Sequence, residues 1–477
     1  MKILFVHPQF PGPFQFLAPA LAADPAHTVV ALTLRTDSPA QWQGVTLLPC
    51  ALARGSAADQ HPWLQDAERQ TLRGEATARA ALQLRAQGFT PDVVCASAEG
   101  GDSLFLRTVW PEARQGLVLG DFGDGSVPGD PEFPPADPLE SARCTLNQAL
   151  LHQAAGQADA LWAPSAWLAA RWPAPLQERI TCVPEGLATE ALQPNPDIRL
   201  TLNGSQELTR ADEVVSFIAD TLEPARGCHQ FLRSLPPLLR QRPQARVLIV
   251  GGHEGGVGLG APGGGAWRDR FATELRAQLN DAEWARVHFL GAQAPATQWA
   301  LLQLASVHVA LGANLPLERR VLEALALGCA VVAADAPALR EALRPGETAL
   351  LVDPTDPEAL GQTVADLLAD PARRSALGQQ ARAWVQAHHD ASVALPRQQA
   401  WLNALAHPAP AAEPEAAPPA EPVPAPAPPD TVPAAPLREE LAAVQRLLQG
   451  DSAPGGASQP TPPSDLLGDL PGDLPGE

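Results

Sequence analysis

Lysine, tyrosine and methionine are nearly absent from this sequence: its 477 residues include no tyrosine, one methionine and, apart from Lys2, no lysine. Acidic residues outnumber basic ones by 53 to 33, which gives a formal net charge of −20. A surface of that sign repels polyanions, so the charge argues against general binding to nucleic acid or to anionic lipid. Because genome composition alone can favour arginine over lysine, we attach no functional meaning to that bias.

Metal-binding and redox patterns are also missing. The six cysteines are scattered and no two form a C-x-x-C pair. Most lie in or beside apolar runs, where a thiol behaves as a small apolar residue. This pattern argues against structural zinc and favours a reducing compartment. No set of histidines and carboxylates has the spacing of a metal site either, so we predict no metal.

Signals for export, for membrane insertion and for several enzyme classes are lacking. The apolar run that begins at Ile3 breaks at Pro8, too early for a signal-peptide core, and no apolar run is long enough to span a bilayer. These absences predict a cytoplasmic protein without a transmembrane segment. No G-x-S-x-G motif supports a hydrolase, and the glycines of residues 251–265 lack P-loop spacing. No strand leads into G-x-G-x-x-G with a distant acid, as a dehydrogenase would need.

Short apolar runs alternate with amphipathic stretches along most of the chain. The runs predict strands at residues 3–7, 27–34, 45–49, 93–96, 116–122, 160–163 and 180–183 and, after a turn-rich connection at 186–212, at 214–219, 246–250, 287–290, 307–311, 330–334 and 349–352. Apolar strands separated by helices are typical of parallel sheets covered on both faces. We therefore predict an α/β protein of two doubly wound, Rossmann-like domains, 1–200 and 201–406, with a ligand-binding cleft between them. The terminal helices either stay on the second domain or pack back on the first.

The composition changes near residue 407. Proline, alanine and glutamate dominate as far as residue 436, and such a segment buries too little apolar surface to fold. Residues 437–449 place leucines and a valine on one helical stripe. We predict a disordered Pro/Ala/Glu-rich tail, 407–477, with a short amphipathic helix at 437–449 that could dock a protein partner.

The clearest functional signal follows the apolar run at residues 214–219. A turn containing Arg226 and Gly227 separates that run from a helical stretch that begins at Cys228. A strand, a tight turn and a helix in this order commonly hold a phosphate, because the helix start offers unpaired N–H groups and a favourable dipole. Arg226 adds a charged, forked donor. The pattern predicts an anion site at this turn.

The chain resembles bacterial family 4 glycosyltransferases over about residues 1–400. Each matching motif is weak alone, but the motifs occur in the family's order, at residues 3–12, 17–22, 101–106, 130–134, 222–227, 250–252, 262–268, 322–329 and 351–354. The resemblance implies the GT-B fold, in which two Rossmann-like domains face each other across a cleft. It implies an acceptor on the N-terminal domain and a UDP- or GDP-linked sugar donor on the C-terminal one. It also implies transfer with retention at the anomeric carbon, with no essential metal ion and no further cofactor.

The resemblance implies roles for individual residues as well. Arg226, followed by Gly227, matches the basic position that the family aims at the donor diphosphate. Glu323 matches the second of two family glutamates, the one that holds the donor ribose, and a carboxylate accepts two hydroxyl protons well. Gly12 matches the glycine turn that lets the backbone approach the reacting sugar. The resemblance identifies neither a catalytic residue nor the acceptor.

Several positions differ from the family pattern. Leu315 stands where the first glutamate is expected, and Glu318 is a nearby carboxylate that could take over part of its role. Asp220 stands where an arginine is expected, and a carboxylate there would repel a diphosphate. Ser97 stands where related sequences tend to carry a histidine, and residues 120–125 replace a more aromatic segment.

Two functions fit this pattern. The first is an active hexosyltransferase-like enzyme with a modified donor site, of the kind used in polysaccharide biosynthesis. The second is a catalytically impaired protein with the same fold that acts as a binding or assembly module, its tail recruiting a partner, because a fold does not guarantee an activity.

Overall fold

A computed structural model describes residues 1–408 except residues 58, 126–128, 136, 203, 205, 254, 255, 257, 259 and 262, and except the side chain of Pro138. The predicted tail, beyond residues 407 and 408, lies outside the described residues, as does its predicted helix at 437–449. No helix among the described residues combines the length and the apolar character needed to cross a membrane. The cytoplasmic location stays a prediction.

The first domain is built on a twisted, mainly parallel sheet in the order β3-β4-β2-β1-β5-β6-β7-β8. Its strands are β1 (Lys2–Val6), β2 (Thr28–Thr33), β3 (Gln41–Trp42), β4 (Val45–Pro49), β5 (Val93–Ser97), β6 (Arg114–Val118), β7 (Ala160–Ala163) and β8 (Ile180–Cys182). Only β3 runs antiparallel to its neighbour within this sheet. The apolar strands bury both faces, as a doubly wound sheet requires.

Helices cover both faces of this sheet. They are α1 (Leu17–Ala22), α2 (Gln65–Ala86), α3 (Leu106–Val109), α4 (Ser141–Gln157), α5 (Ala166–Ala170) and α6 (Ala174–Gln177). Helix α5 begins at an N-cap serine, Ser165, whose hydroxyl accepts the backbone N–H of Leu168 at 3.2 Å.

An antiparallel hairpin, β9 (Arg199–Leu202) and β10 (Gln206–Thr209), leads into the second domain. The second sheet has the order β13-β12-β11-β14-β15-β16 and is parallel throughout. Its strands are β11 (Val214–Thr221), β12 (Arg246–Gly252), β13 (Val287–Phe289), β14 (Val307–Ala310), β15 (Ala330–Ala334) and β16 (Leu350–Val352). The flanking helices are α7 (Cys228–Gln241), α8 (Trp267–Arg276), α9 (Asp281–Trp284), α10 (Pro295–Leu304), α11 (Arg319–Ala326), α12 (Pro337–Arg340), α13 (Pro357–Ala369) and α14 (Pro371–His389).

Both sheets share one winding pattern. In each, the first strand lies in the middle, the next strands extend to one side and the later ones to the other. The chain reverses direction across the sheet beside β1 and β5 in the first domain and beside β11 and β14 in the second. Ligands of doubly wound sheets bind at such switch points, beyond the carboxyl ends of the strands. The prediction of two doubly wound domains is confirmed.

The last described helix, α15 (Ala391–Ala406), returns to the first domain. Trp401 packs against Trp162 of β7, with ring centroids 5.4 Å apart. Gln398 donates its amide N–H groups to the carbonyl oxygens of Pro184 and Glu185 at 3.0 and 2.9 Å. The polypeptide therefore crosses between the two domains a second time at α15.

Two local predictions were wrong. The connection at 186–212 was expected to be turn-rich with no strand, but its second half contains the β9–β10 hairpin, whose residues are mostly only partly buried or exposed. The strand expected at 116–122 spans Arg114–Val118. Beyond it, the carbonyl oxygen of Gly120 accepts the indole N–H of Trp172 at 3.0 Å. Residues 119–121 line a cavity instead.

Candidate functional site: the interdomain cleft

A cavity of about 960 Å³ lies between the two domains. Its first-domain wall includes the loop after β1 and part of residues 185–192, and its second-domain wall includes segments after β11 and β14 and part of α10. The segments after β1, β11 and β14 lie at the switch-point edges of the two sheets, where binding is expected. The residues proposed from the sequence that line it are Gly12, Arg226, Glu318 and Glu323. The cavity therefore brings together four of the five predicted site residues.

Arg226 reaches the cleft from a sharp turn. A single 3₁₀ turn, Pro224–Arg226, follows β11, and Gly227 then adopts a left-handed conformation with φ of 72° before α7 begins. A Cβ atom at Gly227 would lie 2.4 Å from the Cβ atom of Leu311, so only glycine fits here. Gly227, predicted to bind the donor, is not among the residues that line the cavity. It shapes the turn that presents Arg226.

Arg226 belongs to a ring of four charged side chains, Asp220, Arg226, Glu318 and Arg320, hereafter the ion-pair ring. One oxygen of Glu318 contacts the guanidinium of Arg226, and the other accepts from Arg320 Nε at 2.9 Å. Asp220 lies 3.4 Å from Arg226 Nη2 and accepts from Arg320 Nη2 at 2.5 Å. Two cations and two anions alternate around the ring, and outside it the buried carboxylate of Glu223 lies 3.6 Å from Arg226 Nε.

The ring changes the expected role of Asp220. Although burial opposes its ionisation, the bonded guanidinium of Arg320 holds the pKa of Asp220 below its usual range. Asp220 is therefore charged at neutral pH and is held by both arginines. The repulsion of a diphosphate by Asp220 is offset by Arg320, an arginine that sequence reasoning did not single out.

Glu323 projects from α11 into the same cavity, where it is almost fully buried. One turn earlier on the helix, Arg319 donates from Nε to its carboxylate at 3.1 Å. Arg319 also reaches across the cleft: with its amide oxygen facing the guanidinium, Gln15 accepts from Nη1 at 2.7 Å and from Nη2 at 3.0 Å. Arg319 thus fixes Glu323 and bridges the two domains.

Gly12 and His7 form the first-domain wall. Gly12 has φ of 50°, and a Cβ atom on it would lie 2.4 Å from the His7 ring. His7 follows β1 directly, and its Nδ1 accepts the backbone N–H of Gln9 at 3.2 Å. Burial lowers the pKa of His7, which therefore stays neutral at pH 7. The glycine turn and the imidazole pack against each other at the cleft.

A second cavity of about 350 Å³ adjoins the first and shares His7 and Arg319 with it. Its carboxyl groups include Glu99, after β5, and Glu185, after β8. Burial raises the pKa of Glu99, and burial together with the charge of Glu99 raises the pKa of Glu185. Ser97 also lines this cavity, at the position where a histidine was expected from the resemblance.

Sequence reasoning missed His7, Glu99, Glu185, Arg319 and Arg320. Two of them carried a usable signal, because His7 ends the predicted strand 3–7 and Glu99 stands three residues after the predicted strand 93–96, at the edge where ligands bind. The arginines of α11 stand in the helical stretch beside Glu323, but their partners come from other segments and could not be read from spacing.

Comparison with known proteins identifies the family. One family model, described as the glycosyl transferase family 4 group, matches residues 25–192, and a second, described as glycosyl transferases group 1, matches residues 203–384. Together the two models match most of both domains. The chain belongs to the family 4 glycosyltransferases.

Curated relatives of this glycosyltransferase match only part of it. A D-inositol 3-phosphate glycosyltransferase of Corynebacterium urealyticum is 31% identical over 39% of this chain and 43% of its own length. A phosphatidyl-myo-inositol mannosyltransferase of Mycobacterium tuberculosis is 31% identical over 33% of this chain and 37% of its own length. The chain thus spans less than half the length of the relatives it matches.

Solved structures match nearly the whole described chain. Sucrose-phosphate synthase from Thermosynechococcus elongatus gives a TM-score of 0.63 at 19% identity and covers 85% of this chain and 99% of that one. Anabaena HepE in complex with UDP and glucose gives 0.59 at 17% identity and covers 85% and 100%. At these identities the likeness establishes the fold, and the predicted GT-B architecture is confirmed.

Proposed function

We propose that this glycosyltransferase moves a sugar from a UDP- or GDP-linked donor to an acceptor in the cleft between its domains. The observation that carries the proposal is that Arg226 and Glu323, from separate segments of the second domain, line one cavity with the Gly12 turn of the first. A cation, a buried carboxylate and a backbone turn are the groups that a nucleotide sugar requires.

Each of these groups has a role in the proposal. Arg226 and Arg320 neutralise the donor diphosphate, exchanging part of their pairing with Asp220 and Glu318 for phosphate oxygens. Glu323, held by Arg319, accepts the ribose hydroxyl protons. The Gly12 turn admits the sugar to the first-domain wall. Following the family, transfer retains the anomeric configuration and needs no metal ion.

The acceptor enters the second cavity, whose wall carries Glu99 and Glu185 next to His7. Burial raises the pKa of both carboxyl groups, and Arg319 lines the same cavity. We therefore infer that these groups form hydrogen bonds with the hydroxyl groups of an acceptor.

The proposal is tested by measuring consumption of donors. The full chain is incubated with a panel of UDP- and GDP-sugars, with and without polyol acceptors, and released nucleoside diphosphate is measured. We expect release from at least one donor and about a tenfold higher KM for Glu323→Gln, because charge-assisted hydrogen bonds to the ribose are lost. Glu75→Gln, which removes a carboxylate on α2 outside the cleft, is the matched control. No release from any donor would contradict the proposal.

A second candidate function is donor binding without transfer. It is favoured by the ion-pair ring, which already occupies Arg226 with carboxylates, and by the buried Leu315 at the position of the missing glutamate. This binding module would bind a nucleoside diphosphate with measurable affinity but would consume no donor under any acceptor condition.

A further inference from the structure

Residues 129–135 of the first domain, which lie between β6 and α4 in the chain, pack against the second domain away from the cleft cavities. Phe133 of this segment packs its ring against His229 of α7 and Trp267 of α8, at centroid distances of 5.2 and 4.8 Å. Asp130 and Glu132 flank it and face the same helix. The proposed function assigns no role to these carboxylates.

His229 is the buried end of this contact. Its side chain is completely inaccessible to solvent, and neither ring nitrogen has a hydrogen-bond partner among the described residues. Nε2 lies 3.4 Å from Asp130 Oδ2 and 3.7 Å from Glu132 Oε2, and the three ligand atoms lie within 4.8 Å of one another. Burying an imidazole without hydrogen bonds costs free energy of folding unless another group binds its nitrogen lone pair.

The spacing of these atoms fits one metal ion. Bonds of about 2.1 Å from a tetrahedral zinc ion place its ligand atoms about 3.4 Å apart, close to the two distances measured from His229 Nε2. In a tetrahedral complex the lone pair of His229 Nε2 points at the ion, so neither carboxylate oxygen lies along that lone pair. This agrees with the observation that the nitrogen donates to neither oxygen.

Surrounding contacts orient both carboxylates. Asp130 Oδ1 accepts the backbone N–H of Glu132 at 2.9 Å, which leaves Oδ2 directed at His229. Both oxygens of Glu132 are held by Arg233, at 2.6 and 2.8 Å, and Arg233 also pairs with Glu274. Ligands held by such outer contacts are typical of metal sites.

The local charge also favours a cation. Asp130, Glu132 and Glu274 face His229, against the guanidinium groups of Arg233 and, beside Glu132, Arg270. Three negative groups and two positive ones leave an excess of negative charge.

We propose that Asp130, Glu132 and His229 bind one divalent transition-metal ion, with Zn²⁺ as the first choice, and that this ion fastens the first-domain segment to α7. Water completes the coordination. Helix α7 starts directly after the turn that carries Arg226, so the ion also supports the helix behind the donor site. Its role is structural and is independent of sugar transfer. Spacing along the sequence could not bring these three residues together, because His229 lies far along the chain from Asp130 and Glu132.

Direct metal binding tests the proposal. Zn²⁺ alone is titrated into the full chain, purified without a histidine tag and stripped with a chelator, and heat of binding is recorded. We expect one ion per chain, with Asp130→Asn and His229→Gln each weakening binding by about tenfold or more. Asp130→Asn is the decisive variant, since the amide oxygen can still accept the Glu132 N–H and the fold is preserved.

Two controls separate this site from other histidines and carboxylates. His152→Gln on α4 and Asp37→Asn, both at exposed positions, should leave Zn²⁺ affinity unchanged. Cobalt added in place of zinc should give the intense visible absorption of a four-coordinate ion in the wild type and lose it in Asp130→Asn. No stoichiometric binding, or equal binding by Asp130→Asn and the wild type, would overturn the site. Either result would leave the donor-consumption test unaffected.

Discussion

At the scale of single residues, we expect competition within the ion-pair ring to govern donor binding. Asp220 holds both Arg226 and Arg320, and its side chain is mostly exposed at the cleft. A diphosphate that enters the cleft would compete with the Asp220 carboxylate for the guanidinium groups of Arg226 and Arg320. We therefore expect donor affinity to depend on how strongly Asp220 retains its pairing with Arg226 and Arg320.

Asp220→Asn should tighten binding of UDP or GDP by about fivefold, because it removes a repulsive charge and frees the two arginines. Titration calorimetry of each nucleotide measures the change. Asp37→Asn, an exposed aspartate that pairs with Arg35 outside the cleft, is the matched control and should leave affinity unchanged. Weaker binding by Asp220→Asn would show that the carboxylate positions the arginines and does not compete for them.

Gly12→Ala should destabilise the protein by about 1–3 kcal/mol. Alanine is strained at a φ of 50°, and its methyl group would collide with the His7 ring. Urea unfolding measures the loss. Gly156→Ala in helix α4 is the control: an added Cβ there meets no atom within 4 Å, and alanine should stabilise a helix by about 0.5–1 kcal/mol. Equal effects of the two substitutions would contradict the account of this turn.

At the scale of elements, β11 and β14 are joined through a buried polar pair. Ser216 and His308 are register partners in the parallel sheet, and Ser216 Oγ lies 3.0 Å from His308 Nδ1. Burial lowers the pKa of His308 to about 3. The core of the second sheet thus contains an imidazole that stays neutral as the pH falls.

His308 should make stability depend on pH. Below pH 6.5 the unfolded chain binds a proton at this residue and the folded chain does not until about pH 3, so its contribution is complete above pH 6.5 and is lost as the pH falls. Between pH 7 and 5 the loss is about 2 kcal/mol. Urea unfolding at both pH values should show this extra loss in the wild type relative to His308→Gln. An identical pH dependence in the two proteins would refute it.

Prediction from sequence worked where local chemistry decides the structure. The apolar strands were found because their burial on both faces makes them continuous runs, and the turn at Arg226 was found because Gly227 separates a strand from a helix. The β9–β10 hairpin and α15 were missed because their residues are only partly apolar and α15 contains Pro396. Their stability comes from packing on distant parts of the chain.

In the candidate site, too, some residues could be predicted from local motifs and others could not. Arg226 and Glu323 could be proposed from motifs, since each stands at a fixed place in its own segment. The pairing of Asp220 with Arg320, and the contact of His229 with Asp130, join residues that are distant in sequence. No spacing rule reveals such pairs before the fold is known.

At the scale of the whole molecule, the two domains are joined in several places. Arg319 bridges the cleft to Gln15, α15 packs on the first sheet, and Phe133 inserts beside α7 and α8. These contacts join the two walls of the cleft. Donor binding would therefore take place in a cleft whose walls are already assembled.

Deleting residues 409–477 should change the melting temperature by no more than about 1 °C. From its composition we expect this segment to bury too little apolar surface to add to the stability of the domains. Differential scanning calorimetry of the full and shortened chains measures the difference. A drop of several degrees would show that the tail packs on the domains.

The most direct test of the central claim is the affinity of the cleft for a nucleoside diphosphate. Thermal shift with UDP and GDP is measured for the wild type, for Arg226→Gln and for Arg79→Ala, which removes an exposed arginine of α2 outside the cleft. We predict stabilisation of the wild type and of Arg79→Ala by one of the two nucleotides, and loss of that stabilisation in Arg226→Gln. No stabilisation of the wild type by either nucleotide, or the same stabilisation in Arg226→Gln, would contradict the account.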